Sequence, residues 1–295
     1  MLNSHVAPDG TEKIRLAGDT FQFAVFGDSG VIAGKSDYPS NAILSQMVQN
    51  INRQNLVLAV YTGDGVEQGG PVANMYLFRE ELSKLKFPYY PLIGNHEIFR
   101  GAAYDGTKGD GEGNFIKVFK DRLPLKDSRG RQVCYYSFDY QDAHFIVLNT
   151  AWQHRAENDK KGLYPGGEQW RWLVQDLESS RARSRNIFIF CHEPPLLPDL
   201  AGGVLIPGGL SRLPIWKNAK AVESFNLLCQ EYRVDAVFSG HLHAYANFKD
   251  GDVTHIITGG AGSSLHLPAV MGGYYHYVVC TVSGDQVQYE AVRLD

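Results

Sequence analysis

Phe21-Gln22-Phe23-Ala24-Val25-Phe26-Gly27-Asp28-Ser29-Gly30 decides the fold: an apolar run of strand length ends abruptly in a turn that carries a carboxylate. The same junction returns down the chain. Leu56 to Tyr61 leads into Gly63-Asp64, Tyr89 to Ile93 into Gly94-Asn95-His96-Glu97, Asn186 to Cys191 into Cys191-His192, and Val234 to Ser239 into Gly240-His241-Leu242-His243. Each turn offers oxygen or imidazole groups at the end of a strand, and the carboxyl ends of strands are where α/β folds gather their ligand sites.

Between the first three runs lie helical patterns, from about Ser40 to Arg53 and from about Val72 to Lys86, so the chain opens as βαβαβ. That rhythm predicts parallel strands whose ends share one edge. Further on, Cys134 to Tyr140 and His144 to Asn149 are joined only by Gln141-Asp142-Ala143, which predicts an antiparallel pair. Helices from about Glu168 to Ser180 and from about Lys217 to Tyr232 precede the strands that deliver His192 and His241. Strands at Thr254 to Thr258, Tyr275 to Val282 and Gln286 to Val292 complete the set. The expected fold class is α/β, with two packed mixed β-sheets flanked by helices in one domain over residues 21–295, after an N-terminal extension over residues 1–20.

The chain carries 28 basic and 32 acidic residues, interspersed, for a net charge of −4. No basic stripe is present, so no nucleic-acid complex is expected. Met1 to Thr20 is polar, with Asp9, Glu12, Lys13 and Arg15, and matches neither the core of a signal peptide nor a membrane span. No membrane association is expected. The compartment expected is the cytoplasm, with the periplasm or the exterior left open should a leader have been removed. Cys134, Cys191, Cys229 and Cys280 sit in apolar runs without paired spacing, which predicts buried free thiols. Cys191 touches a histidine in sequence, yet reads better as a small residue at a strand end than as a ligand.

Breaking a phosphoester at neutral pH takes a nucleophile, neutralisation of charge on the phosphoryl oxygens and a proton for the leaving oxygen. Two metal ions about 3.5–4 Å apart supply the first two. Carboxylates and imidazoles suit manganese, iron or zinc, and a carboxylate suits the bridging position.

The ordered set Gly-Asp, Gly-Asp, Gly-Asn-His-Glu, His and Gly-His-Leu-His resembles the calcineurin-like metallophosphoesterase superfamily over roughly Phe21 to Gly262. Tyr135 to Asp139, His144 to Thr150 and Ile257 to Gly262 are similar to its purple acid phosphatase branch. The resemblance implies a four-layer architecture and a two-metal phosphoester hydrolase. Motif by motif, it implies that Asp28 and His243 hold a first metal, that Asp64 bridges, and that Asn95, His192 and His241 hold a second. It further implies that Asn95 and His96 contact the phosphate, that a metal-bound hydroxide attacks in line, that His96 is the general acid, and that Glu97 orients His96. The substrate would be a small phosphorylated molecule: a monoester as the leading reading, a diester as the alternative. A metal-binding protein without turnover is the rival from another class.

Two departures bear on the first metal. Gly30 stands where many members carry a histidine, and Glu67 stands where the purple branch carries a tyrosine. Either Glu67 ligates or water completes the site, water being the favoured reading. Without a phenolate ligand no purple colour is expected. Arg100 is either a bidentate phosphate donor or a solvated rim residue. His154 and His266 could reach the pocket, while His144, His255 and His276 read as structural. Tyr274, Tyr275 and Tyr277 read as strand packing. The Gly-rich stretches Gly101 to Asn114 and Ala201 to Pro214 are either pocket rims or surface loops.

Overall fold

The computed structural model describes residues 20–69, 71–98, 111–153, 162–198 and 216–294. Arg100, His154, the Ala201 to Pro214 stretch and nearly all of the N-terminal extension lie outside them.

The opening run forms strand β1 (Thr20–Phe26), followed by helix α1 (Pro39–Ile51), β2 (Leu58–Tyr61), α2 (Val72–Leu82), β3 (Tyr89–Pro91), the single turn α3 (Asn95–Ile98) and α4 (Gly111–Phe119). Pro39 starts α1 at the position where its missing N–H costs nothing. Next come β4 (Tyr136–Tyr140), β5 (Ala143–Val147), α5 (Glu168–Arg181), β6 (Asn186–Phe190) and α6 (Ala219–Glu231). β7 (Ala236–Ser239), β8 (Tyr245–Asp250), β9 (Val253–Thr258), β10 (His276–Ser283) and β11 (Gln286–Arg293) finish the chain.

These strands build a five-stranded sheet, β11-β10-β1-β2-β3, and a six-stranded sheet, β4-β5-β6-β7-β9-β8. Within the first, β1, β2 and β3 are parallel and end level, Phe26 opposite Tyr61 and Tyr61 opposite Pro91. Within the second, β5, β6, β7 and β9 are parallel, with Val147 opposite Phe190, Phe190 opposite Phe238 and Ser239 opposite Ile257. The level ends place every motif at the same edge of its sheet.

Two-residue alternation divides each inner strand between two cores. Phe145, Phe188, Phe190 and Phe238 face the first sheet, whereas Ile146, Ile187, Ile189 and Val237 pack with Leu173 and Leu177 of α5 and Phe225 of α6. Phe23 of β1 meets Phe145, Phe188, Phe190 and Phe238 at centroid distances of 5.2–6.4 Å. On the other face of the first sheet, Tyr61 packs on Phe78 of α2. The result is helix, sheet, sheet, helix. Rings also run across the sheets: Tyr90 stacks on Phe138 at 3.6 Å, Phe138 on Phe145 at 4.9 Å, and Phe190 on Phe238 at 5.1 Å. All four cysteines are buried and free.

Two elements depart from the sequence expectation. Of the Gly101 to Asn114 stretch, residues 101–110 lie outside the described residues, and Gly111 to Asn114 are helical because α4 starts at Gly111. A Cβ there would strike the Glu97 carbonyl, so this glycine serves close packing. The strand β8 was hidden because Asn247, Lys249 and Asp250 make it a half-exposed polar edge. No helix among the described residues is long and apolar enough to cross a membrane.

Candidate metal centre

Asp28 lies two residues past β1, Asp64 three past β2, Asn95 four past β3, His192 two past β6 and His241 two past β7. Such turns bring side chains over the strand ends at a conformational cost. Asp28, Asp64 and His241 have φ of 65°, 54° and 68°, the left-handed region that non-glycine residues avoid by about 1–2 kcal/mol each. Backbone hydrogen bonds lock the turns together, Asp28 N–H donating to Gly63 O at 2.9 Å and Gly30 N–H to Asp64 O at 3.0 Å. Close approach then forbids side chains on the neighbouring motif glycines. A Cβ on Gly94 would run into the Asp64 carboxylate, one on Gly240 into the Asp28 carboxylate, and one on Gly63 would lie 2.6 Å from His192 Nδ1.

Four oxygen and imidazole nitrogen atoms converge at the level strand ends. Asn95 Oδ1 lies 2.9 Å from His192 Nε2 and 2.7 Å from His241 Nδ1, His192 Nε2 lies 3.3 Å from His241 Nδ1, and Asp64 Oδ2 lies 3.1 Å from His192 Nε2. His192 Nδ1 donates to the Thr62 carbonyl at 2.8 Å, which leaves the Nε2 lone pair facing the cluster. Asp64, His192 and His241 are close enough to share one ion. Beside them, His243 Nε2 lies 3.7 Å from Asp28 Oδ1. Its Nδ1 donates to Ser264 O at 2.6 Å, so the bare nitrogen faces Asp28. Asp28 Oδ1 also accepts the His241 N–H at 2.8 Å.

Such a collection suits cationic metal ions. Asp28 Oδ2 is buried with no hydrogen-bond partner among the described residues, which is costly unless a cation neutralises its carboxylate. Burial opposes charge on His192, yet the Asp64 and Asp28 carboxylates drive its pKa up to about 10. Burial, together with the Asp64 charge, raises Asp28 well above the usual carboxylate range. Asp64 is likewise opposed by burial, but His192, His96 and His241 lower it. The cluster therefore demands positive charge. His243, pushed down to about 4 by burial and by neighbouring His266, is ready as a neutral ligand.

His96 stands at the rim, its side chain 36% exposed, with Nε2 4.0 Å from Asp64 Oδ2. Its Nδ1 is held by the Glu67 carbonyl at 2.7 Å, and its backbone N–H donates to Asp64 Oδ1 at 2.8 Å. Burial disfavours the imidazolium, but Asp64 and the Glu67 carbonyl outweigh it and raise the pKa.

Glu97, expected to orient His96, is bonded to the backbone of the turns beside it. Its buried carboxylate accepts the N–H groups of Gly94 at 2.6 Å, Asp64 at 2.9 Å and Val66 at 3.2 Å. The physical reason is that the positive-φ turn at Asp64 leaves N–H groups without strand partners, and a carboxylate one turn into α3 reaches them. Burial, aided by Asp64, still pushes Glu97 up to about 7.

Glu67 Oε2 lies 3.2 Å, and Ser263 Oγ 2.6 Å, from where a Cβ on Gly30 would sit, so the space a side chain at position 30 would enter is occupied. Of the remaining histidines, His266 stacks on His243 with centroids 3.9 Å apart. His144 is clamped between Asp139 at 2.6 Å and Asp176 at 2.8 Å, His255 stacks on Phe248, and His276 bonds Thr258 and Tyr274. Tyr274 is covered by Arg293 at 3.8 Å.

Sequence reading missed Thr150, whose Oγ1 accepts the N–H groups of His192 and Glu193 at 3.0 Å each. Its place just past β5, level with the histidine turn, was the available signal. Thr62 was also missed, because it acts through its carbonyl and a carbonyl leaves no trace in sequence.

The sequence model of the calcineurin-like phosphoesterase family matches residues 21–245. Purple acid phosphatase 22 of Arabidopsis thaliana is 25% identical over 242 residues, covering 77% of this chain and 45% of that protein. The chain spans less than half the length of the first curated relatives it matches. Among solved structures, a purple acid phosphatase from yellow lupin (Lupinus luteus) superposes with TM-score 0.65 at 17% identity, over 99% of this chain and 57% of the other. A dimetal phosphatase from Danio rerio gives TM-score 0.64 at 16% identity, over 92% of this chain and 95% of the other.

Proposed function

Because the chain belongs to the calcineurin-like phosphoesterase family, we propose that it is a two-metal phosphoester hydrolase acting on phosphomonoesters. The observation that carries this reading is the convergence of Asn95 Oδ1, Asp64 Oδ2, His192 Nε2 and His241 Nδ1, four oxygen and imidazole atoms of the kinds that ligate metal ions, on one spot at the strand ends. Asn95, His192 and His241 would hold one ion, Asp28 and His243 the other, with Asp64 between them. When bound, manganese, iron or zinc ions supply charge neutralisation at phosphorus and a nucleophile at neutral pH.

The side chains do the rest. His96 Nδ1 is tied to the Glu67 carbonyl, so when protonated the ring presents Nε2–H towards the reaction zone. From there it contacts a phosphoryl oxygen and hands its proton to the departing oxygen. Glu97 holds the Gly94, Asp64 and Val66 N–H groups, and so fixes the bridging turn and the turn that carries Asn95 and His96. The likeness to purple acid phosphatases supports a monoester over a diester.

Metal-stripped protein reloaded with manganese or zinc should hydrolyse p-nitrophenyl phosphate faster than bis(p-nitrophenyl) phosphate. The reverse preference would make it a diesterase. Full metal occupancy by elemental analysis with no turnover of either ester would favour metal binding without catalysis. His96→Ala should slow turnover of alkyl phosphates, which need a proton on the leaving oxygen, by about 100-fold or more, and of p-nitrophenyl phosphate by less. Equal losses would remove the general-acid role.

A further inference from the structure

We propose that His266 is a positioning residue that sets the occupancy of the first metal site by fixing His243. The inference rests on the two-metal reading of Asp28, Asp64 and His243.

His243 is bonded to the segment that follows β9 at three points. Its Nδ1 donates to Ser264 O at 2.6 Å. Its backbone N–H donates to His266 Nδ1 at 3.3 Å, and its carbonyl accepts the His266 N–H at 3.2 Å. Over these bonds the two rings lie 3.9 Å apart at an interplanar angle of 19°. The partner ligand depends on the same segment, since Ser263 N–H donates to Asp28 O at 2.9 Å. One short stretch, Ser263 to His266, therefore holds both ligands of the first site. All of it lies beyond the residues 21–245 matched by the family model.

The chemistry of His266 suits positioning. Accepting a hydrogen bond at Nδ1 fixes its tautomer and engages that nitrogen, so Nδ1 is not itself offered to a metal. The flat contact limits rotation of His243 about χ2, which an Nδ1 bond alone leaves able to rock. Preorganisation matters most at this site because Gly30 contributes no ligand.

The test uses the full chain, stripped of metal and titrated with Mn²⁺ alone by calorimetry, with bound manganese counted after gel filtration. Wild-type protein should take up two ions. His266→Ala should keep one at wild-type affinity and bind the other about 10–100-fold more weakly, the range seen when groups behind a metal ligand are removed. His266→Phe keeps a ring for the stack and loses the Nδ1 acceptor, so its loss should be smaller. The retained ion reports that the variants are folded. Two ions bound by His266→Ala at wild-type affinity would overturn the proposal, as would equal weakening of both. A wild-type protein that takes up no manganese would instead defeat the two-metal reading, and this proposal with it.

Discussion

The two halves of the centre are built on different supports. Asn95, His192 and His241 meet each other directly and stand on strand ends, through the Thr62 carbonyl and the Thr150 hydroxyl. Asp28 and His243 are 3.7 Å apart, and His243 leans on the loop after β9, which also reaches the Asp28 carbonyl. The β6 and β7 ends that carry His192 and His241 have ladders on both sides, whereas a loop answers to its own hydrogen bonds. Ligand number alone would rank the halves; the supports rank them in the same order and give the reason.

Substituting one ligand from each half is the strongest way to break this contrast. His192→Ala should abolish the second site and lower turnover by about 1,000-fold, the several kcal/mol a metal supplies at phosphorus. His243→Ala should spare the second ion and cost less, about 100-fold by the same arithmetic. Steady-state kinetics with manganese counts decide it, and a larger loss for His243→Ala would reverse the ranking. Gly94→Ala presses a methyl group against the Asp64 carboxylate, and should destabilise the fold by about 1–3 kcal/mol in urea titration while loosening the ion held with Asn95. Wild-type affinity in a folded Gly94→Ala protein would show that the second half is less rigid than its supports suggest. Glu67→Gln should change first-site affinity least, under about threefold if water completes the coordination; a drop of about tenfold would make Glu67 the missing ligand.

The layers and the parallel edges were legible because Phe21 to Phe26, Leu58 to Tyr61 and Asn186 to Phe190 are pure apolar runs that stop at turns. The strand-end placement of the motifs, with the family resemblance, also pointed to Asp64, Asn95, His192 and His241 as one group. The polar strand β8 gave no comparable signal, and α4 was disguised by Gly111 and Gly113. At the centre, the motif that named Glu97 could not show its target, because the target is backbone. The Gly94, Asp64 and Val66 N–H groups lie in the turns after β2 and β3, one of them shaped by the left-handed residue Asp64. Both the strain and its remedy are three-dimensional facts. His266 stood in a stretch without a periodic pattern, and only the folded loop brings it onto His243.

The motif glycines bear on how such a centre can change over generations. Gly63 leaves room for His192, Gly94 for Asp64 and Gly240 for Asp28, so each glycine serves a ligand that a different motif supplies. A lineage that lost one ligand would free the glycine of another motif to drift, and decay would spread across the motifs. A lineage drifting towards a new metal would find the route narrow, since enlarging any one turn collides with a partner far away in sequence. The short motifs thus constrain one another through space.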